Sequence, residues 1–368
     1  MPDFVTKINI ILDYFKLLHK TIHKIWKSNI GHGTIDKNQG SIAYMYEIVL
    51  LEEKYFRIFQ GAYNDFRLKA RTDYKFEIDP LTYEDFIESF KKNLINCIIL
   101  LEDSIPTGFL AYTTVPSDVI ELFVVHCLGN EDIEQKRRLL FEKFMDQTKI
   151  QRKHSVVSYA MLGVQESFKK TVADFGFNFI DTGVVVFDIK NKQAVKEISQ
   201  TNYSDLPIGY KLTPYRDIYF EELAEVIYEA FRNSSDVNFD VRFATIEGCR
   251  DITHKITTSV YGRFLPQASK ILLYENKLVG FCLANITGDG IANLPLIGIV
   301  QDHRGLNLSV PMVKASVLDV AKLYQGGIVD LTELNASLDL NLQSAVRMYE
   351  KAGFVQAYKY SQAYLPKA

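Results

Sequence analysis

The chain has 368 residues, of which 47% are apolar and 24% charged, and its formal net charge is −3 at pH 7. This length predicts two domains of ordinary size, and the composition is that of a globular protein. With a sequence pI of about 6.2, the chain lacks the basic character expected of a non-specific nucleic-acid-binding protein.

The four cysteines stand far apart, without a CxxC pair or a Cys/His cluster at zinc spacing. They predict no metal site and favour a reduced, cytoplasmic compartment. The first residues lack the basic-then-apolar order of a signal peptide, and no apolar run reaches the length of a membrane span. We therefore expect a cytoplasmic protein without a transmembrane segment.

Residues 1–28 predict an amphipathic helix, because apolar residues recur every three or four positions while lysines lie mostly off that stripe. Such a helix packs on its own protein, pairs with a partner helix or lies on a membrane surface, and the sequence leaves these alternatives open. Residues 29–41 follow as a polar loop, so residues 1–41 form an N-terminal segment of their own.

Residues 42–190 alternate between helical and strand-like patterns and predict a first domain. The predicted helices lie near Ala43–Leu68, Tyr83–Lys92, Glu131–Thr148 and Gln165–Asp174. The predicted strands are Cys97–Leu101, Gly108–Thr114, Val119–Val125, Ser155–Leu162 and Phe179–Ile189.

Residues 191–206 are polar and predict a linker, after which the same order of elements returns in residues 207–368. The predicted strands are Gly209–Leu212, Lys270–Tyr274, Leu278–Ala284, Leu296–Val300, Gly327–Leu334 and Val355–Tyr360. The predicted helices are Asp217–Phe231, Thr245–Tyr261, Leu308–Tyr324 and Leu342–Lys351. A period of about 170 residues indicates duplication of a whole domain, because solenoid repeats are much shorter.

Two motifs in the second half indicate a function. Residues 297–309 read IGIVQDHRGLNLS, a strand and turn that open a helix. Such a turn directs free backbone N–H groups and the positive end of the helix dipole at an anion. Residues 341–354 read NLQSAVRMYEKAGF and form a helix that ends at a glycine.

Together, in this order, the motifs resemble the acetyl-CoA signatures of the GNAT superfamily of N-acetyltransferases. The resemblance implies two tandem α/β (α+β) domains, each a mixed, mostly antiparallel sheet flanked by helices. It also implies acetyl-CoA as the acyl donor. The residues that the resemblance implies in cofactor binding are Ile299, Val300, Arg304, Gly305, Leu306, Asn307, Leu308, Ser309 and Asn341.

The phosphate-binding turn departs from the family pattern at two places. Asn307 and Ser309 occupy the positions of the two family glycines, the second of which is often alanine. Ser309 is a mild change, whereas the side chain of Asn307 stands where the backbone approaches the phosphates. Asn tolerates positive φ better than most residues, and its amide can hydrogen-bond a pyrophosphate.

Tyr349 is the predicted catalytic residue. Acyl transfer from a thioester needs a proton for the departing thiolate, and a neutral phenol supplies one. The resemblance implies this role for the tyrosine five residues before the Phe of the second motif. A core position for Tyr349 is the alternative, and Gly353 and Phe354 are expected to be structural.

The general base and the acceptor are not specified by the sequence. Glu333, Asp236 and Asp240 are candidate bases, and a chain of water molecules is the alternative. The segment Asn233–Phe243 stands where the family builds its acceptor site. An amine on a small molecule or a peptide is the expected acceptor.

The first half resembles a degenerate copy of the second. Gly176 and Phe177 repeat the terminal Gly-Phe, but Val172 takes the place of the tyrosine. Residues 127–132 (CLGNED) lack the phosphate-binding pattern. The C-terminal domain is therefore the predicted catalytic half. Two alternatives remain: a catalytically inactive protein that binds acyl-CoA or another ligand, and an interaction or membrane-surface protein that works through the N-terminal helix.

Overall fold

The computed structural model describes residues 46–76, 79–115, 118–200, 206–288 and 290–367. The predicted N-terminal helix at residues 1–28 and the loop at 29–41 lie outside these residues. No helix in the described ranges combines the length and the apolar character needed to cross a membrane.

The N-terminal half is built on an antiparallel meander followed by a parallel strand. Its elements are β1 (Tyr46–Leu50), α1 (Phe56–Lys69), α2 (Tyr83–Lys91), β2 (Asn96–Glu102), β3 (Ile105–Thr113), β4 (Val119–Cys127), α3 (Ile133–Gln147), β5 (Val156–Met161), α4 (Lys169–Asp174) and β6 (Asn178–Phe187). Strands β1 to β4 pair antiparallel with their neighbours, and β4 pairs parallel with β5.

The C-terminal half repeats this order, with its meander divided between two sheets. After α5 (Lys192–Ser199) come β7 (Tyr210–Pro214), α6 (Phe220–Phe231), α7 (Ile246–Thr257), β8 (Arg263–Phe264), β9 (Lys270–Tyr274), β10 (Lys277–Cys282), β11 (Asn285–Gly288), β12 (Ile291–Asn293), β13 (Ile297–Ile299), α8 (Ser309–Gln325), β14 (Glu333–Asp339), α9 (Gln343–Lys351) and β15 (Val355–Leu365). Strands β13, β10, β9 and β7 form the smaller sheet.

The last strands of the two halves are exchanged. The larger sheet has the order β1-β2-β3-β4-β5-β15-β6-β14-β12-β11-β8. Strand β15 of the C-terminal half lies between β5 and β6 of the N-terminal half, and β6 lies between β15 and β14, with every one of these pairs antiparallel. Each half therefore supplies the strand that completes the sheet of the other.

The two halves also share a hydrophobic core. Phe187 on β6 packs against Phe354, which opens β15, with their ring centroids 5.6 Å apart. Val195 and Ile198 on α5 are buried in the same cluster. This helix lies within the predicted linker at residues 191–206, and its residues contribute to the core where the prediction has a polar connection.

Two further predictions were wrong in detail. The helix predicted near Ala43–Leu68 is the strand β1 followed by α1, which begins only at Phe56. The strand predicted at Gly327–Leu334 is a loop over most of its length, and β14 begins at Glu333. Gly327 has a φ of +67°, so the chain turns sharply as it leaves α8.

Candidate active site

A cleft opens in the C-terminal half where two strands diverge. Strand β12 pairs parallel with the start of β14, and the N–H of Leu294 still donates to the C=O of Asn335 at 3.0 Å. The chain then crosses to the smaller sheet, where β13 pairs with β10 alone. A cavity of about 610 Å³ occupies the opening between β13 and β14.

Alternate residues of β13 direct their backbone groups into this cleft. In an antiparallel pair, hydrogen-bonded and non-hydrogen-bonded positions alternate. Since the N–H of Val300 donates to the C=O of Val279 at 3.0 Å, Ile299 and Ile297 occupy the other set and face away from β10. The backbone groups of Ile297 and the N–H of Ile299 therefore present an open strand edge that an extended ligand can pair with, whereas the C=O of Ile299 accepts a hydrogen bond from Arg304.

The backbone of Val300, which the resemblance implies in cofactor binding, is hydrogen-bonded within the chain. Its N–H is bonded to Val279, and its C=O accepts a hydrogen bond from the N–H of His303 at 3.1 Å. Both backbone groups are thus used within the chain. Ile297, two residues before Ile299, is the second residue whose backbone faces the cleft.

The turn before α8 is an open anion cradle. Gly305 and Asn307 have φ values of +81° and +56°. The first helical bond runs from the N–H of Met312 to the C=O of Leu308, and Pro311 has no N–H. Within the described part of the chain, the N–H groups of residues 305–310 have no hydrogen-bond acceptor. Six adjacent donors at a helix N-terminus suit a pyrophosphate.

Arg304 ties this cradle to α6. Its Nε donates to the C=O of Ile299 at 2.7 Å, and its Nη2 donates to the C=O of Ala230 at 3.0 Å. The close approach of α6 requires a glycine on β13, because a Cβ on Gly298 would lie 3.0 Å from the Cβ of Ala230 and 2.7 Å from the Phe281 ring. The guanidinium thus fixes the cradle while it adds positive charge beside it.

Tyr349 lies under the cleft on α9. It is 4% exposed, and it packs edge-on against Phe354 with ring centroids 5.1 Å apart. Its hydroxyl makes no hydrogen bond with another described residue, and the side chain lines the cavity. Burial raises the pKa of Tyr349 far above its ordinary value, so the phenol holds its proton at neutral pH.

Gly353 and Phe354 have the structural roles that the sequence predicts. Gly353 has a φ of +90° directly after α9, and Phe354 is buried. The left-handed residue ends the helix and turns the chain into β15. This turn fixes Tyr349, which stands on the last full turn of α9.

A polar segment after α6 reaches across the cleft to the end of β14. The hydroxyl of Ser235 donates to Oδ2 of Asp339 at 2.9 Å. The other oxygen, Oδ1, accepts the N–H of Asn341 at 2.9 Å. Ser234, Ser235 and Asp236 all line the cavity with Asp339. The bridge closes one side of the cleft with hydroxyls and carboxylates.

The two carboxylates of this bridge influence each other. Burial raises the pKa of Asp236, against a hydrogen bond from Ser234, and the nearby carboxylates of Asp339 and Asp240 raise it further. Neither Asp236 nor Asp339 forms an ion pair with any residue that the structure describes. Two acids in one cavity without an ion-pair partner among the described residues are an electrostatic cost unless a ligand neutralises them.

Most of the predicted site residues meet at this one cavity. Its lining includes Ile299, Arg304, Gly305, Asn307, Leu308, Ser309 and Tyr349. The lining lacks Val300, Leu306 and Asn341. Leu306 is 46% exposed, and Asn341 acts through its backbone, which holds Asp339.

Of the three candidate bases, one lines the cavity and the other two are bonded to neighbouring side chains. Asp236 lines the cavity. Glu333 accepts a hydrogen bond from Asn335 at 3.0 Å, at the start of β14. Asp240 is paired with Arg242, Nη2 to Oδ2, at 2.5 Å. Asp339 was missed because the predicted strand ended five residues too early, and a strand placed at the correct register would have found it.

The N-terminal half contains the same divergence of strands with a filled cleft. Strands β4 and β5 pair only from Val119 to Leu122. Beyond that point, Oε1 of Gln165 accepts the backbone N–H of Val125 at 3.1 Å and the hydroxyl of Tyr159 at 2.7 Å. A side chain of the protein thus takes the strand edge that remains open in the C-terminal half.

Comparisons with known proteins identify the fold. No protein-family model and no curated protein matches the sequence. The structure is similar to a GCN5-related N-acetyltransferase from Sphaerobacter thermophilus, with a TM-score of 0.57 at 12% identity over 87% of this chain and 95% of that one. It is also similar to a tandem GNAT protein from the clavulanic acid biosynthesis pathway, with a TM-score of 0.52 at 11% identity over 88% of this chain and 99% of that one.

A third similar structure is the glucosamine N-acetyltransferase region of a fungal multi-domain β-N-acetylglucosaminidase. Its TM-score is 0.59 at 11% identity, over 89% of this chain and 39% of that one. Such low identities establish the fold alone. The chain therefore has the tandem GNAT fold, which confirms the predicted resemblance and the predicted fold class.

Proposed function

We propose that the protein is an acetyl-CoA-dependent N-acetyltransferase whose C-terminal half binds the cofactor and acetylates an amine of a small molecule or peptide. One observation carries the proposal: an open strand edge, a run of free N–H groups and a buried, protonated tyrosine border a single cavity. The edge at Ile297 and Ile299 suits the amides of pantetheine. The cradle at residues 305–310 suits the pyrophosphate.

Acyl transfer forms one bond, breaks another and needs a proton donor. The amine nitrogen forms a bond to the acetyl carbonyl carbon, and the carbon–sulfur bond breaks. Tyr349 gives its proton to the departing thiolate, and the proton that the nitrogen loses restores the phenol through solvent. A positioned acid of this kind contributes about 10²–10⁴-fold to the rate. A neutral phenol is required for this step, and its burial keeps it neutral.

The N-terminal half is not proposed to bind the cofactor. Gln165 occupies its strand edge, and the turn before α3 carries Glu131 and Asp132 where a phosphate cradle would lie. Carboxylates at that position repel a pyrophosphate. The N-terminal half acts instead as a scaffold, since β5 and β6 hold β15 and β14 in place.

A titration followed by a turnover assay tests the proposal. Acetyl-CoA should raise the melting temperature and bind with a stoichiometry of one per chain. Release of free thiol in the presence of a panel of amines should then depend on both substrates, with the acetylated amine found by mass spectrometry. Binding without thiol release from any amine would favour the inactive acyl-CoA-binding alternative, and absence of binding would refute both.

A further inference from the structure

We infer that the acceptor is a primary amine that carries a second positive charge and no neighbouring carboxylate or phosphate, as in a short aliphatic diamine. The inference rests on the proposed function and concerns the same cavity. Asp236 and Asp339 lie at the bridge that closes the cleft, and they share the cavity with the buried side chain of Tyr349.

The charges that line the cavity are unevenly distributed. Three carboxylate side chains line it: Glu229, Asp236 and Asp339. Glu229 is neutralised by Arg232, with Oε2 and Nη2 2.9 Å apart. The lining has one fixed cation, Arg304, and its guanidinium is already bonded to two backbone carbonyl groups. Two carboxyl groups, those of Asp236 and Asp339, therefore have no ion-pair partner among the described residues.

Among the described residues that line the cavity, Arg304 is the one fixed cation that an anionic acceptor would find. The arginines of the segment between α6 and α7 are Arg232 and Arg242. Arg232 is paired with Glu229, while Arg242 is held by Asp240 at 2.5 Å and by the hydroxyl of Tyr261 at 2.7 Å. A carboxylate placed beside Asp339 would meet like charge without compensation.

A dication matches both acids. One ammonium group gives its proton to solvent and attacks the thioester carbonyl as a free amine, and the other stays charged beside the second carboxylate. Asp339 is well oriented for this contact, because Ser235 and the backbone of Asn341 fix its two oxygens. Binding of the dication also relieves the repulsion between the two carboxylates. A hydrogen bond between charged groups in a partly buried site contributes about tenfold to a hundredfold in affinity.

Three amines with the same four-carbon chain test the inference: 1,4-diaminobutane, butylamine and 4-aminobutanoate. Their far ends are positive, neutral and negative. At saturating acetyl-CoA we expect kcat/KM to be about tenfold or more higher for the diamine than for butylamine, and lowest for 4-aminobutanoate. Diamines of three, five and six carbons, each compared with the monoamine of equal length, extend the series in case another length fits better.

Two variants test whether Asp236 and Asp339 cause the preference for the diamine over the monoamine. D236N and D339N should each reduce the ratio of kcat/KM between diamine and monoamine towards one, and the ratio cancels any general loss of activity. Glu222 is an exposed acid on α6 outside the cavity, so E222Q is the matched control and should keep the ratio.

The outcomes separate the two proposals. If acetyl-CoA binds and thiol is released equally from all amines of one length, or fastest from the amino acid, the inference about the acceptor is overturned while the proposed function stands. A ratio that D236N and D339N both leave unchanged also overturns it. If acetyl-CoA does not bind, the proposed function fails and the inference fails with it.

Discussion

The two halves of the chain contain the same pair of diverging strands but differ in what lies between them. Between β4 and β5, the amide of Gln165 binds the free N–H of the strand. Between β13 and β14, Leu342 stands at the position equivalent to Gln165, since each lies 11 residues before the glycine of a Gly-Phe pair. Leu342 is 45% exposed and leaves the strand edge open. The same fold is thus a closed scaffold in one half and a binding cleft in the other.

The difference extends to the proton donor. Tyr349 and Val172 each lie four residues before that glycine, and both are buried. Val172 packs in the apolar core of the N-terminal half and has no proton to give. The N-terminal half keeps the buried core positions of the fold but lacks the hydroxyl that the C-terminal half has at this place. Positions that the halves share are therefore expected to stabilise the fold, and positions that differ are expected to bind a ligand. Four substitutions test that division.

The largest effect is expected for Y349F. Turnover should fall by about 10²-fold, at the low end of the contribution of a positioned acid, because a thiolate is a fairly good leaving group. The ring and its packing remain, so the melting temperature and acetyl-CoA affinity should hardly change. Steady-state kinetics by thiol release measure the effect.

The matched control lies in the other half. Y159F removes a buried hydroxyl that contacts Gln165 and should leave turnover unchanged. Normal turnover in Y349F would show that water protonates the thiolate and that Tyr349 is a core residue.

A smaller loss is expected for R304E, measured as acetyl-CoA affinity. A carboxylate beside the pyrophosphate, together with the loss of two hydrogen bonds to backbone carbonyls, should weaken binding by about tenfold to a hundredfold. The melting temperature without ligand should be recorded separately, because Arg304 also ties α6 to β13.

Arg138 on α3 provides the comparison. Its half-exposed side chain pairs with Asp174 at 3.1 Å, and R138E should leave acetyl-CoA affinity intact. Weaker binding in R138E with normal binding in R304E would place the cofactor in the N-terminal half.

Q165A should affect stability alone. The substitution leaves the N–H of Val125 and the hydroxyl of Tyr159 buried without an acceptor, which costs about 1–3 kcal/mol of unfolding free energy. Chemical denaturation measures this loss, and L342A at the equivalent exposed position should cost much less. The stoichiometry of acetyl-CoA should stay at one per chain. A second bound equivalent would show that Gln165 by itself keeps the N-terminal cleft closed.

The smallest effect is expected for N307G. Asn307 has a φ of +56°, which glycine adopts without steric cost, so the folded state should gain at most about 1 kcal/mol. Acetyl-CoA affinity should be kept or improved, as isothermal titration would show.

N307A separates the two roles of Asn307, because it removes the amide but keeps the strained φ. A tenfold or greater loss of affinity in both variants, about 1.4 kcal/mol, would identify the amide as a ligand.

Elements with a sustained period were predicted well from the sequence. Helices α3, α6, α8 and α9 begin and end within two or three residues of their predicted bounds. Tyr349 and the turn around Gly305 line one cavity, and their local geometry could be predicted because each lies in a contiguous motif. The direction of the Val300 backbone groups could not be predicted, because it depends on the register with β10, which one strand cannot reveal.

The wrongly predicted elements have a common cause, because their structure depends on contacts with residues distant in the sequence. Val329 and Leu331 are buried and look like strand residues, yet they lie in the loop before β14. The strand itself reads ELNASLD, which has little of the β-branched and aromatic character that marks a strand. Helix α5 is amphipathic only over eight residues, too short a stretch to distinguish from a polar linker. No local sequence pattern predicts that β15 pairs with β5 and β6.

The exchange of β6 and β15 has a consequence for biosynthesis. When β6 leaves the ribosome, β5 still has an unpaired edge, and the strand that covers it ends only at Leu365. At ordinary translation rates of about 5–20 residues per second, the time between the synthesis of β6 and that of β15 is roughly 10 to 40 seconds. Open strand edges are sites of aggregation, so we expect the nascent chain to be prone to aggregation until β15 pairs with β5. The two halves made as separate polypeptides should be soluble only when they are produced together.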